Sequence, residues 1–291
     1  MAVHRYMLHN GEILDTSART LSPGQTGVLN GWGVFSTLRI RQGVLFAWER
    51  HYARMRHDAA LMRVPFPENA AAMRIELLRL VEANAAWEGT LRVAVLRNRG
   101  GQFEGAGIDR DYDTIAFTKD PTRWGAGCRL NVTAEARHSG GPFASAKILS
   151  WSMNLTMLEE AVRQGYDETI LLDSRGFVSE CTSANIFAVI GGEVITPPRI
   201  SGCLPGVTRA ILLEEISIPG IRVFERDLTV EDLKSADEVF LTSSTRDLLP
   251  VLEIAGQPIE QKKTVMPALQ AALGRFIERY VEEAKLALAG Y

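Results

Sequence analysis

The chain has 291 residues, of which 46% are hydrophobic and 23% charged, a balance that fits a folded globular protein with an ample core, as one large domain or two ordinary ones. A net charge of -3 offers no basic surface for nucleic acid. No apolar stretch nears the roughly 20 residues that span a bilayer, and the start, Met1-Ala-Val-His-Arg-Tyr-Met, lacks the charged-then-apolar order of a secretory signal.

In chain order, residues 1–48 read as short strands at Tyr6–Leu8, Glu12–Ile13, Gly33–Arg39 and Val44–Trp48, separated by turns such as Asn10-Gly11 and Gln42-Gly43. Tyr52, Met55, Ala59 and Met62 have helical spacing and place a helix over Glu49–Arg63. A second helix starts near the Pro67-Glu-Asn turn and runs to the vicinity of Ala86, followed by strands at Leu91–Arg97 and Thr114–Thr118. The stretch from Lys119 to Gly127 is rich in turn formers and reads as a linker between an N-terminal α+β domain, 1–118, and a C-terminal α/β domain, 128–291. In the second part Arg129–Ala134 reads as a strand and Met153–Gln164 as a helix capped by Gly165. Strands follow at Glu168–Asp173, Val178–Glu180, Ile186–Ile190, Glu193–Thr196, Arg222–Glu225 and Glu238–Leu241. Helices are expected after Gly206, near Val230–Lys234 and over Val265–Leu288. Strands and helices mix without regular βαβ alternation, so the fold class is mixed α/β (α+β) in two lobes, not a Rossmann sheet. The glycine pairs Gly31-Trp-Gly33 and Gly100-Gly101 lack the dinucleotide fingerprint.

Six lysines are present, and only Lys147 sits in an apolar run, Phe143-Ala-Ser-Ala-Lys147-Ile-Leu-Ser-Trp151. An amine there loses hydration, which lowers its pKa and makes it a candidate Schiff-base nucleophile; the bland alternative is a surface lysine with a packed stem. Glu180 ends an alternating strand and is either a half-exposed strand residue or a carboxylate partner for a protonated ring nitrogen. Pro205-Gly206-Val207-Thr208 opens a helix, where free N–H groups and a hydroxyl suit a phosphate. Thr242-Ser-Ser-Thr245 is a second hydroxyl cluster, placed in the same lobe as Lys147. Each of these is singly an ordinary cap or turn. Arg54 lies on the first long helix and matters if its guanidinium reaches a phosphate. The five histidines show no metal spacing, and nothing resembles a Ser-His-Asp elbow or a P-loop. Cys128, Cys181 and Cys203, without CxxC spacing, read as free thiols in a reducing cytoplasm.

The order Lys147, Gly165-Tyr-Asp-Glu168, Leu172-Asp-Ser-Arg-Gly-Phe-Val-Ser-Glu180, Asn185-Ile-Phe187, Thr196-Pro-Pro, Leu204-Pro-Gly-Val-Thr-Arg209 resembles the fold-type IV pyridoxal-phosphate enzymes. These are the class IV aminotransferases: branched-chain aminotransferases, D-amino acid aminotransferases and aminodeoxychorismate lyases. Gly33-Val-Phe-Ser-Thr-Leu-Arg39 and His51-Tyr-Ala-Arg54 extend the resemblance over nearly the whole chain. It implies a two-lobed enzyme with pyridoxal 5'-phosphate between the lobes. It further implies Lys147 as the cofactor-bearing lysine, Glu180 as the pyridine-nitrogen partner, and Arg54, Val207, Thr208, Ser243 and Ser244 as further cofactor contacts. Phe35, Arg92 and Ser244 would touch the substrate. The implied partners are small-molecule amino and 2-oxo acids and a second copy of the chain in a homodimer or larger assembly, with no nucleic acid and no membrane.

The subfamily signals conflict. Thr196-Pro-Pro-Arg199 and Leu91-Arg92 are similar to branched-chain enzymes, but those carry a tyrosine where this chain has Ser152. Thr242-Ser-Ser244 is closer to the D-amino acid enzymes, whose Arg-x-His trap is replaced here by Arg99-Gly-Gly-Gln-Phe103. Gly24-Gln-Thr-Gly27 stands where the family usually has Asp-Arg-Gly. A cytoplasmic transaminase of branched-chain L-amino acids and 2-oxoglutarate is the first expectation. The alternatives are an aminodeoxychorismate lyase releasing 4-aminobenzoate and pyruvate, a D-amino acid aminotransferase, and a non-catalytic scaffold.

Overall fold

A computed structural model describes residues 2–101 and 108–289; Gln102 and Phe103 of the Arg99–Phe103 stretch therefore lie outside the described residues. The chain divides into two units. The first comprises the chain as far as Thr122, Lys147–Trp151 and the chain from Arg279 onward; the second comprises Arg123–Ala146 and Ser152–Glu278. These are not the two contiguous stretches expected, and Lys147 belongs to the first unit, not to the one bearing Glu180 and Thr208. Among the described residues no helix is long and apolar enough to cross a membrane.

The first unit contains β1 (Val3–His9), β2 (Glu12–Asp15), α1 (Thr26–Asn30), β3 (Gly33–Arg41), β4 (Val44–Leu45), α2 (Trp48–Leu61), α3 (Ala70–Ala83), β5 (Glu88–Arg97) and β6 (Tyr112–Lys119). Its strands form one antiparallel sheet in the order β2-β1-β6-β5-β3-β4. Alternating residues of β3 and β5, including Val34, Leu38, Leu91 and Val93, meet Met55, Ala59, Leu77 and Leu80 of α2 and α3 in one core. The Asn69 side chain caps α3 by accepting from Ala72 N–H at 3.0 Å. Trp48, expected at the end of a strand, instead opens α2: Ala47 turns the chain with φ +54°.

A buried polar knot pins Gln25, the residue just before α1. Asp113 is fully buried and accepts from Gln25 Nε2 at 2.7 Å, Asn98 Nδ2 at 2.9 Å, Asn10 Nδ2 at 3.0 Å and the Arg110 guanidinium. His9 Nε2 lies 2.8 Å from the same carboxylate. Gln25, one of the residues that depart from the usual Asp-Arg-Gly, is thereby fixed through its side chain.

The second unit contains β7 (Cys128–Arg137), α4 (Ser152–Arg163), β8 (Glu168–Asp173), β9 (Val178–Cys181), β10 (Asn185–Ile190), β11 (Glu193–Thr196), α5 (Val207–Glu214), β12 (Val223–Glu225), α6 (Val230–Lys234), β13 (Glu238–Ser243), β14 (Asp247–Ile254), β15 (Gln257–Pro258) and the start of α7 (Met266–Ala289). The strand order is β12-β11-β10-β13-β14-β7-β8-β9, with β15 on β14. Parallel pairs β7–β8, β7–β14 and β11–β12 sit in a sheet whose other pairs are antiparallel. Leu130, Ile170, Val178, Ile186, Val239, Leu241 and Val251 form its core, and Phe187 stacks on Phe240 at 5.2 Å. Strand β14 was not expected. It forms a tight hairpin with β13, so the hydroxyl cluster at 242–245 lies at a hairpin turn.

Candidate active site

In the first unit the residues around Lys147 are placed by the open edge of β3. Strand β4 pairs only with Ile40 and Arg41, leaving the start of β3 available on that side. The 147–149 segment takes it: Phe35 N–H donates to the Lys147 carbonyl at 3.1 Å, and Leu149 N–H donates to the Gly33 carbonyl at 2.9 Å. A Cβ on Gly33 would lie 2.5 Å from the Val95 carbonyl and 2.6 Å from Leu149 Cδ1, so only glycine admits this approach. Lys147 N–H also donates to Asp58 Oδ2 at 3.0 Å. Burial raises the Asp58 carboxyl above its usual value, and that bond partly offsets it.

The Lys147 side chain is half-buried on two rings. Its Nζ is 4.6 Å from the Phe35 centroid and 5.8 Å from that of Trp151. The two rings meet edge-on at 6.0 Å. Arg92, diagonal to Phe35 across the β3–β5 ladder, lays its guanidinium 4.0 Å from the Phe35 centroid and 6.0 Å from that of Trp151. Burial pulls the Arg92 guanidinium down from its usual value.

On α2, His51, Arg54 and Asp58 fall at i, i+3 and i+7 and share one face. Arg54 is half-buried and donates from Nη2 to Ser36 Oγ at 2.9 Å. Ser36 Oγ also lies 2.7 Å from His51 Nδ1. Both Ser36 and His51 are fully buried.

In the second unit Glu180 is 4% exposed, not the half-exposed strand residue that alternation allows. Strand β9 is buried on both faces. The Glu180 carboxylate accepts from Arg137 Nη2 at 2.5 Å, from Leu204 N–H at 3.1 Å and from Asn185 Nδ2 at 3.5 Å. Asn185 Nδ2 also donates to the Leu204 carbonyl at 2.9 Å, tying the β9–β10 turn to the loop before α5. Gly206 caps α5, and a Cβ there would lie 2.1 Å from Asn185 Oδ1. The first turn of α5 receives no side-chain cap, and buried Val207 and Thr208 stand in it. Arg209 is buried beside them, donating to the Pro197 carbonyl at 2.7 Å and to Glu225 at 2.5 Å.

The Ser243–Thr245 turn rests on a buried ion pair. Arg246 lies 3.5 Å from Glu168 and donates to the Ser183 carbonyl at 3.1 Å, to Ser183 Oγ at 3.0 Å and to Ser243 Oγ at 3.4 Å. The Trp124 ring covers it at 4.0 Å. Thr242 Oγ1 is buried without a hydrogen-bond partner, whereas Ser243 and Ser244 are half-buried.

Of the residues singled out in the sequence, Lys147, Phe35, Arg92 and Arg54 thus fall in the first unit; Glu180, Val207, Thr208, Ser243 and Ser244 fall in the second. The hydroxyl cluster is not in the unit of Lys147, because Lys147 pairs with β3. Asp58, Arg137 and Arg246 were not anticipated, and Ser36 and His51, though inside the quoted motifs, were given no role. The only signal for them was polarity inside apolar patterns, with His51 one helical turn before Arg54.

The chain matches the family model for amino-transferase class IV over residues 33–254. A putative branched-chain-amino-acid aminotransferase of Methanocaldococcus jannaschii is 31% identical over 261 residues, covering 87% of this chain and 89% of that protein. The D-alanine aminotransferase of Bacillus licheniformis is 26% identical over 284 residues, covering 92% and 96%. Among solved structures, the Escherichia coli branched-chain amino acid aminotransferase gives a TM-score of 0.86 at 25% identity over 94% of this chain and 95% of that one. Class IV aminotransferases use pyridoxal phosphate. The matched stretch runs from the first residue of β3 to the last of β14 and takes in both Lys147 and Glu180: the chain belongs to the class IV aminotransferases, as its motifs suggested.

Proposed function

We propose that this enzyme transfers the amino group of branched-chain L-amino acids to a 2-oxo acid such as 2-oxoglutarate, with Lys147 as the residue that carries pyridoxal 5'-phosphate. The observation that carries this reading is the corner of Phe35, Trp151 and Arg92 beside the Lys147 amine. It offers apolar ring surface for a hydrocarbon side chain and a guanidinium for a carboxylate. The likeness to branched-chain relatives supports the same substrate class.

The side chains present fit the cofactor. The uncapped first turn of α5, with Val207, Thr208 and the unbonded hydroxyl of Thr242 in the same unit, is a donor set suited to a phosphate. Ser243, Ser244 and Arg54 are assigned to the same group, and Glu180 to the pyridine nitrogen. When bound, pyridoxal phosphate supplies an electron sink for the charge left as the substrate Cα loses its proton. Lys147 Nζ takes that proton as general base and returns it as general acid. Glu180, held by Arg137 and Leu204 N–H, keeps a proton on the ring nitrogen. Phe35, Arg92 and Ser244 orient the substrate so that Lys147 meets Cα in productive geometry.

A second reading, D-amino acid transamination, is supported by the likeness to the D-alanine enzyme and by Ser243-Ser244. A panel of L- and D-amino acids, each with and without 2-oxoglutarate, tests both. The proposal expects 2-oxo acid product from L-leucine, L-isoleucine and L-valine only when the acceptor is present. Preference for D-alanine would favour the second reading. Full turnover of aminodeoxychorismate without acceptor would favour a lyase and overturn both. We further infer a homodimer or larger assembly in the cytoplasm. The exposed Met153, Leu155 and Val162 on α4 and the three buried free thiols support those two points respectively.

A further inference from the structure

We propose that Ser36 and His51 form a relay that sets the direction of the Arg54 guanidinium, making them positioning residues for the phosphate contact of this enzyme. The inference rests on the reading of Arg54 as a phosphate ligand.

Ser36 Oγ lies 2.9 Å from Arg54 Nη2 and 2.7 Å from His51 Nδ1. A guanidinium can only donate, so the Ser36 oxygen accepts from Arg54. In the relay the one hydroxyl proton of Ser36 goes to His51, with Nδ1 as the bare, accepting nitrogen and the imidazole proton on Nε2.

The surroundings enforce this arrangement. His51 and Ser36 are fully buried, so neither exchanges its partner for bulk water. His51 Nε2 is buried without a hydrogen-bond partner, so the ring is not held through that nitrogen and Ser36 is what it addresses. All three stand on regular elements: Ser36 is on β3, paired with Val93 of β5, and His51 and Arg54 are one turn apart on α2. Burial, together with the Arg54 and Lys147 charges, also holds the imidazole well below its usual value. The relay therefore links the strand that pairs with Lys147 to the face of α2 that carries Arg54.

The test compares full-length protein, stripped of cofactor, for affinity toward pyridoxal 5'-phosphate and toward pyridoxal, which lacks the phosphate. Ser36→Ala should weaken the phosphate form about tenfold, the scale of one charge-assisted hydrogen bond, and leave pyridoxal unchanged. Ser36→Thr, which keeps the hydroxyl, should stay near the parent. Arg54→Met should show the same selective loss, larger in size. If Arg54→Met loses phosphate-selective affinity and Ser36→Ala does not, the relay is wrong and the reading of Arg54 stands. If Arg54→Met shows no selective loss, that reading fails and the relay fails with it. A nitrogen-15 spectrum of histidine-labelled protein gives an independent readout. The relay requires His51 to show an unprotonated Nδ1 and a protonated Nε2, and the opposite tautomer overturns it.

Discussion

Arg137 donates from Nη2 to Glu180 Oε1 at 2.5 Å, in a site where the Glu180 side chain is 6% exposed and that of Arg137 21%. The carboxylate proposed to face the pyridine nitrogen is thus already paired with a cation through Oε1. Removing one member of such a pair leaves the other buried and uncompensated. Arg137→Met should destabilise the protein by about 3 kcal/mol in urea unfolding. Glu180→Gln should keep a borohydride-trapped cofactor while slowing substrate turnover, since a neutral amide does not hold the ring proton. Unchanged turnover in Glu180→Gln would remove Glu180 from the proposed role.

His51 gives a prediction with a defined sign. Burial is the largest cause that keeps its pKa low, so the folded protein holds it neutral while the unfolded chain titrates at about pH 6.5. Below that pH the unfolded state binds the extra proton, and stability falls by about 1.4 kcal/mol per pH unit from this group. His51→Gln should therefore flatten the stability profile between about pH 7 and pH 5 in paired urea titrations. An unaltered slope would show that His51 is already charged in the fold.

Asp113 works in the opposite direction. Burial alone would raise its carboxyl, but the bonds from Arg110, Asn10, Asn98 and His9 outweigh that and hold it well below the carboxylate range. Its contribution is complete above an unfolded value of about 3.9 and is lost as pH falls below that. Asp113→Asn should cost about 3 kcal/mol at neutral pH, from a buried charge network broken on one side, and the gap to the parent should narrow in acid. The same substitution weakens one of the side-chain bonds that hold Gln25, the others being to Asn98 and Ser22.

The thiols provide a simple check on packing. Burial pushes Cys128 up to about 12 and Cys203 up to about 11, and lifts Cys181 well above its usual value. A disulfide reagent near pH 8 should leave all three untouched in the native protein and titrate three thiols after unfolding. Fast reaction of the native form would contradict the burial.

Much of the fold was legible because its signals are local. The apolar alternation of Val34, Leu38 and Ile40 in Gly33–Arg41 and the helical spacing in Trp48–Leu61 each mark a face in the core, although the first four residues of that strand are buried throughout. Strand β14 escaped because Pro250 interrupts its apolar run and reads as a break. In the fold Pro250 sits beside the irregular start of pairing with β7, where a missing N–H is tolerated. Helix α1 spans five residues, too few to show a period. The roles proposed for Lys147 and Glu180 rest on their order in the motifs, which says nothing of the unit that holds Lys147. That placement follows from the short β4, which leaves the β3 edge open to a segment more than a hundred residues away. The Ser36–His51–Arg54 contacts likewise join a strand to a helix, and no periodicity announces them.

The central claim is that Lys147 carries the cofactor. Borohydride reduction of the purified holoenzyme, followed by proteolysis and mass mapping, tests it directly. The account predicts a single pyridoxyl-phosphate adduct on the peptide bearing Lys147, absent in Lys147→Ala together with nearly all turnover. An adduct on any of the other five lysines, or a Lys147→Ala enzyme that still transfers amino groups at the parent rate, would contradict it.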